Sequence, residues 1–531
     1  MKVFLMFRER DFSFEEGVPA NAQELIQDLA LDALFHAMAG GDDFLLAVVK
    51  SAILASLKDR KAILYRQNIL ADCLEFPEIV AELYALSVEA IEREKKIWGW
   101  FLSSPDSLLH RSVEALGLFL ESIKRLRKLT DEHGSKFRSE GFRLFFTMIA
   151  QELDDSYLQV VKDHLLQLHF PNGTLMSADL APDFRGDDYI LHRLDVKKPR
   201  WFEQVQEWVG QIAHKNGSGF TFEVDPRDEA GFRALEALRT EGIIHVATAL
   251  AQSSDHILSF FKALRLELGF YMGCLNLRER LAAKQEPFCL PVPLPEDEET
   301  LRCQGLYDVC LSLNTAARAV GNDIAGENKN LVVITGANRG GKSTLLRGVG
   351  LAQLMMQCGM FVPAQEYQAN VCRGVFTHFK REEDASMRSG KLDEELSRMS
   401  AIVEQITSGC VLLLNESFAS TNEREGSEIA RQIVRALLEV KVKTLYVTHM
   451  FDLADGFCRQ HMDCALFLRA ERLEDGTRTF RLLEGPPEAT SYGEDLYRRI
   501  FKRASDVQDV DARKIVVKDI GALNGLLESG S

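Results

Sequence analysis

The sequence predicts a multidomain chain: an all-α N-terminal half with a small β insertion, then an α/β domain built around a phosphate-binding loop. Three observations carry that prediction. Apolar residues recur at three- and four-residue spacing over most of the first 284 positions. A proline-rich, acidic stretch at 287–300 then marks a boundary. Beyond it, short β-branched runs alternate with helical runs, and one of them leads directly into a glycine-rich loop.

The length, 531 residues, is enough for three or four domains. With 46% hydrophobic and 27% charged residues, the chain can bury substantial cores. Its 79 acidic and 63 basic residues give a formal net charge of −16, which excludes a protein coated in basic charge. A local basic groove on an acidic body stays open, because counterion release depends on contacts rather than totals. Ten cysteines, at 73, 274, 289, 303, 310, 358, 372, 410, 458 and 464, contain no CxxC pair. Zinc-ribbon and disulfide frameworks therefore fail on spacing, and buried, reduced thiols in a cytoplasmic protein are expected. The first ten residues are interrupted by Lys2, Arg8, Glu9 and Arg10, unlike a secretory leader. No apolar stretch reaches the roughly 20 residues that cross a bilayer, so no membrane partner is expected.

In the first half, Leu25, Leu29, Leu31, Leu34, Phe35 and Met38 mark helical faces before the Gly40-Gly41 break. Short amphipathic helices follow at 44–57 and 60–73, and Pro77 opens another running to about 98. Positions 108–168 are again helix-rich. Strand-like pieces at 174–180, 189–194 and 220–224 lie in an insertion near 172–224. Positions 228–284 lack strong breakers, which predicts one extended helix or a helical hairpin. A basic cluster of Lys124, Arg125, Arg127, Lys128, Lys136, Arg138 and Arg143 fits either a nucleic-acid groove or, more commonly for such runs, a solvated helix face.

The second half carries the chemistry. The run Leu331-Val332-Val333-Ile334-Thr335 enters Gly336-Ala337-Asn338-Arg339-Gly340-Gly341-Lys342-Ser343-Thr344, followed by a helical run to Gln357. This is GxxxxGK(S/T) between a strand and a helix. Its glycines let amides turn inward around phosphate, Lys342 bridges β- and γ-phosphates, and Ser343 ligates Mg²⁺. By chance the string arises in about two chains per hundred of this length, before the flanking strand and helix are required. A second buried strand, Cys410-Val411-Leu412-Leu413-Leu414, ends in Asn415-Glu416, where a carboxylate can polarise the water attacking a γ-phosphate. A third, Thr444-Leu445-Tyr446-Val447, ends in Thr448-His449; the histidine there is either a γ-phosphate sensor or a structural residue. Ser389 and Gly390 precede a helix at 392–406, as an anion-facing N-terminus or as an ordinary cap.

Together these pieces resemble the ATPase domain of the MutS family of DNA mismatch-repair proteins. The resemblance rests on the 335–344 string, Phe361-Val362-Pro363-Ala364, Asn415-Glu416 with Ser420-Thr421, Thr448-His449, Ser491-Tyr492-Gly493 and Asn322-Asp323-Ile324. It covers roughly residues 305–500. It implies an ABC-class ATPase using ATP and Mg²⁺, dimeric through its nucleotide domains. It also implies Glu416 as catalytic carboxylate, His449 as switch histidine, and Ser389-Gly390 as the signature loop reaching the partner's γ-phosphate. The helical half, 1–285, looks like the family's connector, lever and clamp; 286–505 is the ATPase domain and 506–531 a tail.

Three departures refine the expectation. The family's usual Asp-Glu pair is Asn415-Glu416 here. Asn415 keeps a metal-ligating oxygen but loses a charge, so weaker Mg²⁺ binding and slow hydrolysis are expected. Phe14-Glu15-Glu16 matches the family's wedge string, but 13 preceding residues leave no room for its domain, so mismatch reading of that type is not expected. The tail is too short for a nuclease domain, so nicking is not expected either. The overall expectation is an ATP-dependent dimeric clamp on mismatched, looped or branched duplex DNA. The alternatives are a nucleotide-gated adaptor for a protein or ribonucleoprotein, and the less favoured ATPase subunit of a transporter.

Overall fold

The structure, a computed structural model, describes residues 1–14, 17–97, 104–170, 173–180, 186–192, 227–381 and 390–488. The expected strand at 220–224, Ser389, the 491–493 string and the tail lie outside the described residues. The chain divides into two compact units: Met1–Phe12 with Ala71–Gly269, and Ser13–Leu70 with the chain from Phe270 onward.

Helices dominate the first half, as the apolar spacing predicts. They are α1 (Ala22–Asp28), α2 (Leu31–Ala39), α3 (Asp43–Leu54), α4 (Arg60–Glu75), α5 (Pro77–Lys95), α6 (Pro105–His133), α7 (Glu140–Glu152) and α8 (Asp155–Leu168). Pro77 and Pro105 each occupy a first helical position, where the missing N–H costs nothing. Ser104, Ser139 and Asp154 cap α6, α7 and α8 by accepting from the first-turn amides. Strands β1 (Leu175–Leu180) and β2 (Gly186–His192) form an antiparallel pair within the expected insertion. Of the two forms open for 228–284, the chain adopts the single helix, α9 (Glu229–Ala283).

The core of the first unit is aromatic. Phe119 stacks on Phe261 at 5.8 Å between ring centres, and Phe137, Phe142 and Phe146 cluster within 5.7 Å of one another. The basic cluster lies in this unit and is largely paired with acidic neighbours. Arg125 bonds Glu89 at 2.5 Å, Arg127 holds Asp131 at 3.0 Å and the carbonyl of Ala150 at 2.7 Å, and Lys128 and Arg138 face Glu132 and Glu75, each at 3.8 Å. These ion pairs satisfy part of the cluster's charge within the protein.

The second unit holds two sheets. The smaller is β3 (Val292–Leu294), β4 (Thr300–Leu306), β5 (Asn322–Glu327) and β7 (Glu366–Asn370), in the order β3-β7-β4-β5. The larger contains β6 (Leu331–Gly336), β8 (Val375–Phe379), β9 (Val411–Asn415), β10 (Lys443–Val447), β11 (Ala465–Arg472) and β12 (Arg478–Glu484). Its order is β12-β11-β6-β10-β9-β8, parallel except for the antiparallel β12 edge. Besides α1 to α3, the described residues of this unit form α10 (Val309–Asn314), α11 (Lys342–Gln357), α12 (Lys391–Gln405), α13 (Glu423–Glu439) and α14 (Phe451–Cys458). Strand β6 is buried along its whole length, the pattern of a parallel strand covered on both faces. It lies between β10 and β11, so its carboxyl end opens where the strand order turns back, the usual ligand position in an open α/β sheet.

Candidate active site

At the carboxyl end of β6 the backbone turns through Gly336, at φ +101°. A Cβ there would approach the Ala470 amide nitrogen to 2.8 Å, so the position requires glycine for both conformation and space. Gly341, at φ +92°, caps α11, whose intrahelical bonds begin with Leu345 donating to the Gly341 carbonyl. The amides ahead of Leu345 in the first turn have no intrahelical acceptor and face the positive end of the helix dipole. Asn338 and Arg339 are exposed at the loop's rim, while Ala337 and Gly340 are buried beneath it.

Lys342 is buried, and its Nζ donates to the carbonyls of Gly336 at 2.9 Å and Ala337 at 3.2 Å. Burial pushes its ammonium below the ordinary lysine range, and the Glu416 carboxylate pulls it back up. A phosphate would offer this cation a stronger, charge-assisted partner than two neutral carbonyls.

Ser343, the next residue, donates to Asn415 Oδ1 at 2.8 Å. Asn415 ends β9, which lies two strands from β6 with β10 between them. The two oxygens stand close to the spacing of about 2.9 Å between adjacent ligands of an octahedral Mg²⁺. This oxygen-only pair fits that ion, and the amide supplies no negative charge to it. Among the described residues, no group of three or more His, Cys, Asp or Glu is placed to hold a metal.

Glu416 follows at φ +54°, its amide donating to the Val447 carbonyl at 2.8 Å. His449, just past β10, bonds Glu416 Oε2 through Nδ1 at 2.8 Å. The hydrogen bond from His449 lowers the Glu416 pKa, helped by the nearby charges of His449, Lys342 and Lys380. The same bond raises His449 above its ordinary value of 6.5, against the opposing effect of burial. A carboxylate held ionised by an imidazolium, beside a lysine and a helix N-terminus, can orient a water toward a bound phosphate.

The structure thus gathers Gly336 through Thr344, Asn415, Glu416 and His449 at the carboxyl ends of three neighbouring parallel strands. Gly390 lies apart from them as the N-cap of α12, at φ −65° with no side chain to contribute. Sequence reasoning passed over a second layer beneath Glu416. Buried His378 of β8 bonds Ser417 at 2.7 Å, and Glu395 of α12 accepts from the Phe418 amide at 2.6 Å and the Ser420 hydroxyl at 2.7 Å. Tyr446 of β10 donates to the Ser417 carbonyl at 2.6 Å. One signal was available: Glu395 falls on the apolar stripe Leu392, Glu395, Met399, Ile402 of its helix, where a charge needs a buried partner.

A groove of about 1,200 Å³ lies between the smaller sheet and the β11–β12 edge of the larger one. Its wall includes Gly321, Asn322 and the strand 481–484. Asn322 ties that wall together, donating to the Phe480 carbonyl at 3.2 Å and accepting from the Leu482 amide at 2.7 Å. Phe480 in turn packs over Gly341.

Two families match the chain: "MutS2 N-terminal domain" over residues 58–284 and "MutS domain V" over residues 332–501. Among curated relatives, Endonuclease MutS2 of Listeria monocytogenes is 31% identical over 366 residues, 67% of this chain and 44% of that protein. MutS protein homolog 4 of Mus musculus is 28% identical over 214 residues, 38% of this chain and 22% of that protein. DNA mismatch repair protein MutS of Clostridium kluyveri is 30% identical over 188 residues, 34% of this chain and 21% of that protein. The chain thus spans less than half the length of these relatives.

Proposed function

The chain belongs to the MutS family, and from that premise we propose that it is an ABC-class ATPase of the P-loop type that acts on DNA in repair or recombination. The observation that carries the reading is the convergence of Lys342, Ser343, Asn415, Glu416 and His449 at the carboxyl ends of β6, β9 and β10. Lys342 and the amides of the 336–344 loop hold the phosphates of ATP. Ser343 and Asn415 hold Mg²⁺, which when bound supplies charge neutralisation for the phosphates. Glu416 positions the attacking water, and His449 reports the γ-phosphate by exchanging its bond to Glu416 for one to phosphate.

We assign residues 1–285 to arms that embrace duplex, 286–505 to the ATPase domain and 506–531 to a tail. Two copies associate through their ATPase domains, with Ser389 and Gly390 completing the partner's site. The DNA taken is mismatched, looped or branched. ATP binding closes the dimer and shifts the grip of the arms, because phosphate contacts exist only in the closed state.

Two measurements test this. Lys342→Ala should abolish ATP binding in calorimetry, and retained affinity would remove the phosphate-loop assignment. A salt titration of binding to homoduplex, mismatched, looped and four-way-junction DNA, and to RNA, with and without ATP, should give a steep slope for DNA. A second reading, a nucleotide-gated adaptor for a protein or ribonucleoprotein with slow hydrolysis, is favoured by the ion pairing of the 124–143 cluster. A flat salt response would select it.

A further inference from the structure

Glu395 lies in the second turn of α12 and is 2% exposed. Both its carboxylate oxygens are committed to one loop: Oε2 accepts from the Phe418 amide and Oε1 from the Ser420 hydroxyl. Its own carbonyl meets His378 Nε2 at 3.0 Å. Burial, with the Arg398 charge adding to it, drops the His378 pKa to about 4, so the ring is neutral at ordinary pH. A neutral imidazole donates through one nitrogen only. Nε2 faces a carbonyl and must carry the proton, while Ser417 Oγ stands 2.7 Å from both Nδ1 and the His378 carbonyl, so its one proton serves either of these two acceptors.

The loop fastened in this way directly follows Glu416. Glu416 and Phe418 both hold left-handed backbone, at φ +54° and +63°. That conformation is unfavourable for a non-glycine residue, and it persists where the surroundings over-determine it. The surroundings here are Glu395 from α12, His378 from β8 and Tyr446 from β10. Of these, Glu395 alone reaches the loop by two charge-assisted bonds, and it alone rides on the helix that Gly390 caps.

We propose that Glu395 is a positioning residue for ATP hydrolysis, clasping residues 418–420 so that Glu416 stays aimed at the phosphate crevice and moves with α12. The proposal rests on the reading of Glu416 as the group that acts on water.

Steady-state ATP hydrolysis by the full chain tests it, using Glu395→Leu, Glu395→Gln, Ser420→Ala, Glu416→Gln and the Glu395→Leu/Glu416→Gln double variant. Glu395→Leu should lower kcat about 10- to 100-fold, the scale of a misplaced reacting group, with KM for ATP changed by less than about twofold. Glu395→Gln should restore most of the rate, since its amide can accept from Phe418 and donate to Ser420 Oγ. The double variant should be no slower than Glu416→Gln alone, because both changes act through one group.

Parent kcat in Glu395→Leu and Ser420→Ala, or a double variant slower by the product of the two single losses, overturns the proposal. Should Glu395→Leu fail to fold, Ser420→Ala decides: it removes one of the two clasp bonds and should cut kcat several-fold at unchanged KM. If Glu416→Gln itself hydrolyses at the parent rate, the role of Glu416 falls and this proposal with it. If only the Glu395 and Ser420 variants are silent, this proposal falls alone.

Discussion

At the scale of single residues, the pair Glu416–His449 sets the protonation of the site. The native pKa of Glu416 lies below 4.5 and that of His449 above 6.5, so both are charged across the window between. The contribution of Glu416 is lost as pH falls through its lowered native value. That of His449 is complete below 6.5 and is lost as pH rises through its raised native value. We expect the His449 ring resonances of the nucleotide-free protein to titrate above 6.5, and those of the Glu416→Gln variant to titrate at a lower pH. An unmoved midpoint would mean that the bond is not formed in solution. Glu416 was legible in the sequence as an acid at the end of a buried strand after a phosphate loop. Its bond to His449 was not, because the two residues meet only when β9 and β10 lie side by side.

At the scale of elements, helices were read well and sheet partners poorly. Apolar spacing, with Pro77 at a first position, located α3, α4 and α5 within a few residues and marked 108–168 as helix-rich without dividing it into α6, α7 and α8; helical bonds are local, whereas helix ends depend on caps. The strands β3, β4, β5 and β7 escaped notice, since Val292 pairs with Gln368 and Leu301 with Ala369, neither close in sequence. Another distant contact fastens the N-terminal segment to α9. Buried Glu267 accepts from the amides of Leu5 at 2.6 Å, Met6 at 3.0 Å and Phe12 at 2.6 Å. Burial raises its pKa to about 7, against the pull of those donors and with Asp11 adding repulsion. Between 4.5 and about 7 the native carboxyl therefore keeps a proton that the unfolded chain has already released, so its contribution to stability falls as pH rises. Urea unfolding from pH 5 to pH 8 should show this decline, and Glu267→Gln, which cannot titrate, should flatten it. An equally steep profile in the variant would assign the decline to another group.

At the scale of the whole molecule, the proposed dimer makes a sharp demand. With hydrolysis blocked by Glu416→Gln, saturating ATP and Mg²⁺ should convert the chain to a dimer in sedimentation velocity. A monomer at high concentration under those conditions would end the picture of two coupled sites. The charge balance bears on DNA in the same way. A net charge of −16, with Arg125 and Arg127 already bound to acidic neighbours, leaves the 124–143 face a weaker phosphate ligand than its composition implies. Charge reversal at Arg125 should accordingly weaken DNA binding little if this face is merely solvated, whereas a large loss would identify it as part of the DNA path. Among the described residues, no helix is long and apolar enough to cross a membrane.

By itself the sequence determined the helical first half, the strand–loop–helix of 331–357, the acid after β9 and the resemblance that groups them. Each of these is encoded in neighbouring residues: apolar periodicity, glycines where the backbone must turn, a lysine and a serine at the start of a helix. Only the tertiary structure decided that Ser343 meets Asn415, that His449 closes on Glu416, and that Glu395 holds the loop between them. Those contacts join residues far apart in the chain. They depend on the register and order of parallel strands, and long-range burial rather than local propensity sets both.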